Sequence, residues 1–343
     1  MIPFADHIAE LTSHRDRELL DLALASSLMD MVRPRMVTIH RCVGEVEDRR
    51  WLNRAHLRRG DAAPKSDLPW SDLENLPRLE PGEPRFEALT EQRLVMVGGA
   101  PGRAYFPLVG GSDAVGVIEI ETDAALDETA QRTIEGVLRI FHNFDRLLDY
   151  SERDTLTGLL NRKTFDESFL KATSDLMPDT DAEKAGRRCC GGDPCGYWIG
   201  VIDIDHFKSV NDRFGHLIGD EVLLLLSRLM ARSFRLHDRL YRFGGEEFLV
   251  LMRCPAEDDA AQAMERFRVL TEQFEFPQVG RVTVSIGFTA VRPGDTPSGA
   301  FERADQAVYH AKQNGRNRVC SHADLVAQGL LADTTKVGDF EFF

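Results

Sequence analysis

Long apolar segments are missing from this sequence of 343 residues. No stretch approaches the run of roughly 18 apolar residues that a membrane-spanning helix needs. The first residues, MIPFADHIAELTSHRDREL, are charged early and contain no apolar core of the kind found in a signal peptide. Cysteine is also scarce, because six residues spread over the chain provide no disulfide framework. These absences predict a cytoplasmic protein without a membrane partner.

Positive charge is in deficit as well. Lys and Arg total 42 against 56 Asp and Glu, which leaves a formal net charge of −14. A duplex nucleic-acid binder presents a basic face, so the balance predicts no nucleic-acid partner. A nucleotide substrate remains compatible with it, because one pocket can be locally basic in an acidic protein. The length predicts two domains.

The N-terminal part combines helices, strands and one long polar segment. Residues 1–33 predict a helical segment that Pro34 ends, and residues 60–86, rich in Pro, Asp and Glu, predict a loop. Strands are predicted at residues 36–40, 51–52, 104–109 and 114–121, before a helix at 127–150. This order resembles a GAF-type sensor domain, which implies a possible small-molecule ligand. A PAS-like or other α/β sensor, or a non-sensory dimerisation domain of the same shape, is the alternative.

The helix that closes this part carries apolar residues at alternating steps of three and four: Ile134, Val137, Phe141, Phe144 and Leu148. Such a pattern is typical of the seam of a parallel coiled coil. A helix packed on the sheet of its own domain would show the same pattern. We therefore predict a sensor domain over residues 1–133, a helical coiled-coil linker over 134–153, a second domain over 154–320 and a tail over 321–343.

The second domain alternates helices and strands around a hairpin. Helices are predicted at residues 162–176, 219–233, 256–274 and 300–313, and strands at 197–204, 240–253 (the hairpin) and 281–289. A hairpin in place of a helical crossover predicts a mainly antiparallel sheet of the α+β class. The polar insertion at 177–196 contains Cys189, Cys190 and Cys195, whose spacing matches no zinc pattern.

Three carboxylates stand where carboxylates are disfavoured. Gly244 and Gly245 predict a tight turn, and Glu246 and Glu247 follow at the start of a hydrophobic strand, where Glu is depleted. Asp203 ends another apolar run, where an unpaired charge is costly. If the two strands are neighbours, Asp203 and Glu246 meet. Carboxylate oxygens with open positions suit Mg²⁺, which takes its remaining ligands from water and substrate phosphates.

Four blocks of sequence together resemble the GGDEF family of diguanylate cyclases. They are DTLTGLLNR at 154–162, DIDHFKSVN at 203–211 with GHLIGD at 215–220, GGEEF at 244–248 and AKQNGRN at 311–317. The resemblance covers residues 151–319. It implies a ferredoxin-like domain related to the palm of nucleotidyl cyclases. It also implies a homodimer that condenses two GTP into cyclic di-GMP and two pyrophosphates, with one GTP on each subunit.

The resemblance also assigns roles to individual residues. It implies two Mg²⁺ or Mn²⁺ ions per half-site, held by Asp203, Glu246 and the carbonyl of Ile204. Glu247 is expected to assist removal of the ribose 3′-OH proton. The expected GTP contacts are Asn211 and Asp220 with guanine, Lys208, Lys312 and Arg316 with phosphates, and close approach at Gly244 and Gly245. Asp205 and Asp212 are expected to be solvated or to cap a helix.

A feedback site is predicted upstream of the hairpin. Arg235 and Asp238 match the family's RxxD motif for inhibition by cyclic di-GMP, and Arg266 matches its secondary position; a surface salt bridge is the alternative. The competing function is a non-catalytic receptor that binds cyclic di-GMP at the same motif, and a weaker alternative is a GTP-hydrolysing regulator. A receptor has no need of the complete set of expected active-site residues.

Overall fold

The computed structural model describes residues 4–14, 16–44, 48–67, 73–110, 113–174, 196–235 and 237–332. The chain divides into two compact units, Met1–Ser151 and Glu152–Phe343. The three cysteines at 189, 190 and 195 lie outside the described residues. In the described parts of the chain, no helix is both long and apolar enough to cross a lipid bilayer.

The first unit is built around an antiparallel sheet with helices before, within and after it. Its helices are α1 (Phe4–Ser13), α2 (Arg17–Val32), α3 (Pro84–Glu91) and α4 (Glu128–Glu152), with a 3-10 turn at Leu73–Asn75. Its strands are β1 (Met36–Val43), β2 (Arg50–Arg58), β3 (Val95–Val97), β4 (Gly102–Gly110) and β5 (Asp113–Thr122). Among the described residues the sheet order is β2-β1-β5-β4-β3. The sequence therefore predicts all the elements except α3 and β3, and it merges α1 with α2.

Alternation along the strands gives this sheet two different faces. Val37 and Ile39 of β1 lie in the main core of the unit, together with Leu24 of α2. The opposite face is smaller and includes Trp51 and Leu89, the latter from α3. The sheet is thus covered by helices on both sides.

Helix α4 packs into the core of the first unit, and this corrects the prediction of a coiled-coil seam. Ile134, Val137, Phe141 and Leu148 are all buried there, and Phe144 packs against them. The stripe that would face a partner helix faces the sheet of the unit instead. Heptad spacing marks one apolar side of a helix, but only the fold decides what covers that side.

The second unit places helices on both faces of a mixed sheet. Its helices are α5 (Arg162–Ser174), α6 (Phe207–Phe214), α7 (His216–Ser233), α8 (Glu257–Gln273), α9 (Pro297–Gln313) and α10 (His322–Ala327). Its strands are β6 (Leu160–Asn161), β7 (Gly196–Ile204), β8 (Arg239–Arg242), β9 (Glu247–Cys254), β10 (Glu275–Phe276), β11 (Gly280–Arg281), β12 (Val284–Ala290) and β13 (Val319–Ser321). The main sheet of the described residues has the order β13-β12-β7-β9-β8-β6.

The centre of this sheet is antiparallel, as predicted from the hairpin. Strand β7 pairs antiparallel with both β9 and β12, and only the outer strands β6 and β13 pair in parallel. Gly287 of β12 lets α9 approach closely, because an added Cβ would lie 2.2 Å from the carbonyl oxygen of Ala304. This contact sets α9 directly against the strand next to β7.

Several short elements differ from the sequence-based expectation, because strands β6, β10 and β13 and two helices were not predicted. Helix α6 was not predicted, although Phe207, Val210 and Phe214 show the spacing of an amphipathic helix. The predicted tail over 321–343 is wrong in its first part, because α10 begins at His322 and both His322 and Leu325 are buried. Residues 333–343 lie outside the described part.

Candidate active site

The strand register brings the predicted carboxylates together. Asp203, near the end of β7, is paired directly with Glu247, the first residue of β9. The backbone N–H of Ile204 donates to the carbonyl of Glu246 at 3.4 Å. Asp203 is only 5% exposed, whereas both glutamates are half-buried. The antiparallel pairing of β7 with β9 therefore brings Asp203 to Glu246 and Glu247, more than 40 residues later in the sequence, at one end of the sheet.

One lysine faces these acids from the last turn of α9. The Nζ of Lys312 lies 2.7 Å from Oδ2 of Asp203. Burial raises the pKa of Asp203, Glu246 and Glu247, and the negative charge of neighbouring acids raises it further; Lys312 opposes both effects. For these three carboxyl groups, burial and the nearby acids together outweigh the opposing effect of Lys312 on the pKa.

The donor set fits a magnesium site that the substrate completes. Among the described residues, no three His, Cys, Asp or Glu side chains form a ready-made metal cage. Mg²⁺ does not need such a cage, since one or two carboxylates, water and phosphates are its usual ligands. Asp203 and Glu246 are neighbouring carboxylates, and with the carbonyl of Ile204 they are oxygen donors of the type that this mode of binding requires.

The Gly244-Gly245 turn leaves room above the acids. An added Cβ at Gly244 would lie 2.7 Å from Oε2 of Glu247, and a Cβ at Gly245 would meet nothing within 4 Å. Gly244 thus allows Glu247 to fold back over the turn, while Gly245 leaves open space. That these glycines let GTP approach the backbone stays a prediction.

The predicted guanine contacts lie at the elbow between α6 and α7. Gly215 has a φ of 85° and both ends α6 and precedes α7. Asn211 of α6 lies against Gly219 of α7, so close that an added Cβ would be 1.9 Å from Oδ1 of Asn211. Asp220, the next residue, and Lys208 are exposed. Sequence reasoning assigns Gly219 no role, because the predicted helix begins at that residue; α7 begins earlier, at His216, so Gly219 lies inside it.

Asp205 is wrongly predicted to be solvated or capping. It is 6% exposed and accepts hydrogen bonds from Oγ1 of Thr283 and Oγ of Ser285, both at 2.7 Å, and from the N–H of Asn317 at 3.0 Å. Asn317 follows Arg316, the last of the expected phosphate contacts. Asp212 is exposed, as expected.

The predicted feedback residues also lie together. The N–H of Arg235 donates to Oδ2 of Asp238 at 2.8 Å, and Arg266 of α8 donates to the carbonyl of Ser233 at 2.6 Å. Burial raises the pKa of Asp238 to about 6, and the positive charges of Arg235 and Arg266 oppose this rise. The three residues thus form one charged cluster beyond the C-terminal end of α7.

Comparison with known proteins finds matches for the second unit. Residues 193–318 match the family model described as "Diguanylate cyclase, GGDEF domain". The response regulator PleD of Caulobacter vibrioides is 39% identical over 188 residues, which are 53% of this chain and 38% of that protein. The diguanylate cyclase DgcP of Pseudomonas aeruginosa is 39% identical over 169 residues, which are 48% of this chain and 23% of that protein.

A solved structure gives a similar match. The GGDEF domain of DgcB from Caulobacter crescentus, in complex with c-di-GMP, is 33% identical; the alignment covers 50% of this chain and 96% of that one, with a TM-score of 0.44. The two relatives above match over less than half of their own lengths, so the similarity concerns a domain and not the whole chain. Over residues 193–318, this chain is a GGDEF domain of the diguanylate cyclase family.

Proposed function

We propose that this protein is a diguanylate cyclase, which condenses two GTP into cyclic di-GMP and releases two pyrophosphates. The observation that supports this most is the register that pairs Asp203 with Glu247 and joins Ile204 to Glu246. Lys312 contacts Asp203 at 2.7 Å, and the residues proposed to bind guanine, Asn211 and Asp220, lie on α6 and α7. A receptor for cyclic di-GMP would not need this set of residues.

The chemistry has two equivalent steps. In each, the ribose 3′-OH of one GTP attacks the α-phosphorus of the other, the bond to the β-phosphate bridging oxygen breaks, and pyrophosphate leaves. Glu247, whose raised pKa makes it a better base than a solvated glutamate, accepts the 3′-OH proton. Lys312 and Arg316 hold the triphosphate that becomes the leaving group.

Asp203 and Glu246, with the carbonyl of Ile204, would hold Mg²⁺ or Mn²⁺, two ions per half-site. These ions supply charge neutralisation at the attacking and leaving oxygens when bound. The chain contributes the buried, negatively charged socket in which such ions are favoured. Asn211 and Asp220 orient guanine, and an Asp that accepts from the N1–H and N2–H₂ edge selects guanine over adenine.

Incubation with GTP and Mg²⁺, followed by separation of the products, tests the proposal. We expect cyclic di-GMP and pyrophosphate, and no cyclic product from Asp203→Asn. Asp212→Asn, at an exposed acid of α6, is the matched control and should retain activity. Release of GDP and inorganic phosphate would instead identify a GTP hydrolase. Binding of cyclic di-GMP without its formation would identify a receptor.

Product feedback is the second part of the proposal. Arg235, Asp238 and Arg266 form a cluster in which arginines can pair with phosphate or guanine and Asp238 can accept from guanine. We place the inhibitory site for cyclic di-GMP there. An Arg235→Ala variant should lose product inhibition; an unchanged turnover curve and unchanged affinity for cyclic di-GMP would refute the assignment.

The first unit is proposed to be a GAF-like sensor that regulates the cyclase in a homodimer. This is supported by its five-stranded order β2-β1-β5-β4-β3 and by the helices on both faces of that sheet. With the seam of α4 buried, the dimer contact is assigned to the exposed side of that helix, where Leu147 is 67% and Tyr150 is 80% exposed. Ile140 and Leu147, one heptad apart, lie on this side. A small-molecule ligand would act by changing how the two half-sites meet.

A further inference from the structure

Asp205 is a buried acid beside the active site with no role in the proposed chemistry. Its Oδ1 accepts from the hydroxyl of Ser285, and its Oδ2 accepts from the hydroxyl of Thr283 and from the backbone N–H of Asn317. Its own N–H donates to the carbonyl of Thr283 at 2.9 Å. One carboxylate thus joins the end of β7, the start of β12 and the loop that follows α9.

The loop that Asp205 holds has an unfavourable backbone. Gly315, Arg316 and Asn317 have φ values of 106°, 62° and 44°, so two consecutive residues with side chains occupy the left-handed region. L-residues adopt this conformation rarely, and they keep it only where the surroundings impose it. The loop therefore depends on the bonds that hold it.

Those bonds are few and specific. The N–H of Arg316 donates to the carbonyl of Ala311 at 3.0 Å, and the N–H of Asn317 donates to Asp205. The amide side chain of Asn317 is held between Arg268 and Glu272, at 2.8 Å from each. Asp205 is the partner that ties this loop to the strand carrying Asp203.

We propose that Asp205 is a positioning residue for the triphosphate of GTP. By fixing the N–H of Asn317 it holds the left-handed backbone of Arg316, so that Arg316 meets the same phosphate chain as Lys312, which already lies on Asp203. This inference rests on the proposed function for its substrate. Asp205 touches neither substrate nor metal in this role.

A purely structural role predicts something different. Asp205 could serve only to satisfy the hydroxyls of Thr283 and Ser285 inside the sheet. Ser285 is fully buried. Its hydroxyl donates to Oδ1 of Asp205 at 2.7 Å, whereas the N–H of Asn317 donates to Oδ2. Ser285→Ala therefore removes a comparable buried bond and leaves the loop contact in place, which makes it the matched control.

The test measures the loop and the ligand separately. Amide hydrogen exchange at Asn317, followed by NMR in the full chain, reports whether the N–H of Asn317 is held in its hydrogen bond to Asp205. Affinity for a GTP analogue with a methylene group between the α- and β-phosphates, which cannot be cyclised, is compared with affinity for GMP. The variants are Asp205→Ala, Asp205→Asn, Ser285→Ala, Arg316→Ala and the double variant D205A/R316A.

We expect Asp205→Ala to speed exchange at Asn317 and to weaken binding of the analogue by roughly tenfold, with GMP affinity unchanged. Asp205→Asn should keep exchange at Asn317 and affinity for the analogue near their wild-type values. Its side-chain oxygen can accept from the N–H of Asn317 while its NH₂ group donates to the Ser285 hydroxyl. The double variant should bind the analogue no more weakly than Arg316→Ala alone. Ser285→Ala should change neither measurement. Asp205→Ser, one atom too short to reach Asn317, replaces Asp205→Ala if the latter does not fold.

Two results would overturn the inference: unchanged exchange at Asn317 in Asp205→Ala, or losses of analogue affinity that add fully in the double variant. Equal loss of GMP and analogue affinity would also count against it, since it would mean general damage to the site. A wild-type protein that binds the analogue but forms no cyclic di-GMP would refute the proposed function. The exchange and binding comparisons would still decide the role of Asp205.

Discussion

At the scale of single residues, the charge balance around Asp203 governs the active site. Lys312 is 2.7 Å from its carboxylate, and burial together with the negative charge of Asp203 raises the pKa of both Glu246 and Glu247. Buried carboxylates in this state favour a nearby cation, and Lys312 supplies one. In the proposed mechanism Lys312 also contacts the phosphates of GTP.

Lys312→Met should raise the pKa of Asp203 further, because the positive charge that opposes burial is lost. An NMR titration of the carboxyl carbons in metal-free protein measures this directly. Lys208→Met removes the same charge from an exposed position on α6 and serves as the control. A pKa of Asp203 that does not move in Lys312→Met would mean that the ion pair is absent in solution.

Product inhibition should depend on pH through Asp238. Burial raises the pKa of this group from 3.8 to about 6, so lowering the pH through about 6 protonates it and removes the carboxylate that accepts from guanine. Affinity for cyclic di-GMP should therefore fall between pH 7.5 and 5.5, as measured by calorimetry, and Asp238→Asn should be weaker and insensitive to pH. If the affinity for cyclic di-GMP has the same pH dependence in the wild type and in Asp238→Asn, a group other than Asp238 takes up the proton.

The raised pKa of Asp238 also affects the stability of the fold. For stability, the charged form of Asp238 is the unfavourable one. Because burial disfavours the charged form, ionisation of Asp238 costs folding free energy as the pH rises from about 4 through about 6. Asp238→Asn removes this cost, so it should gain stability relative to wild type over that range.

A functional residue can be predicted from sequence where a charged side chain stands next to an apolar strand, a position that charged residues normally avoid. Glu246 and Glu247 before an apolar strand, and Asp203 at the end of another, stand out without knowledge of the fold. Asp205 does not stand out, because its partners Thr283, Ser285 and Asn317 lie 78, 80 and 112 residues away. A buried acid satisfied by distant residues has no local signal.

At the scale of elements, the packing of α6 on α7 positions Asn211, a residue of the proposed guanine site. Gly219→Ala should weaken GTP binding, because the new Cβ would lie 1.9 Å from Oδ1 of Asn211 and displace that amide. A lost hydrogen bond predicts a rise in the KM for GTP of roughly three- to tenfold. Helix propensity favours alanine by about 0.5–1 kcal/mol, so the loss should occur without loss of stability.

Gly136→Ala in α4 is the matched control for this substitution. An added Cβ there meets nothing within 4 Å, so the change should gain helix propensity and leave the KM for GTP unchanged. If Gly219→Ala and Gly136→Ala have the same KM, then Asn211 does not contribute to GTP binding from the position seen here.

Helix α4 shows why an element can be predicted while its partner is not. Its length and apolar spacing follow from sequence, but the stripe is equally suited to a sheet and to a second helix. Phe141 is 1% exposed, whereas Leu147 is 67% exposed. Glutamate at Phe141 therefore tests the core of the first unit, and glutamate at Leu147 tests the proposed dimer contact.

Phe141→Glu should unfold the first unit, since loss of a buried Phe alone costs about 3–5 kcal/mol and the added charge costs more. Leu147→Glu should leave the melting temperature nearly unchanged but shift the protein toward monomer in sedimentation and lower cyclic di-GMP formation. Leu170→Glu makes the same change at an exposed leucine of α5 and is the control. If Leu147→Glu still forms a stable dimer, the dimer contact does not include Leu147 and lies on another surface.

At the scale of the whole molecule, two units follow from length and from the change of pattern near residue 151, where the structure also divides the chain. The α+β class follows from the hairpin. The sequence does not predict the short elements α3, β3, α6, β6, β10, β13 and α10, which depend on tertiary packing more than on periodicity. The three acids are predicted nevertheless, because they lie at the ends of long strands that the register brings together.

A cyclic product requires two phosphodiester bonds, and with one GTP on each subunit both half-sites must be competent. Mixing wild type with an equal amount of Glu247→Gln, under conditions where subunits exchange, should therefore reduce activity per wild-type chain to about half. With a threefold excess of the variant, random pairing predicts about one quarter. A mixed dimer can form at most one bond, so a linear dinucleotide should accumulate. Activity per wild-type chain that stays constant at every ratio would show that one subunit completes the cycle by itself, and the proposed two-chain site would then be wrong.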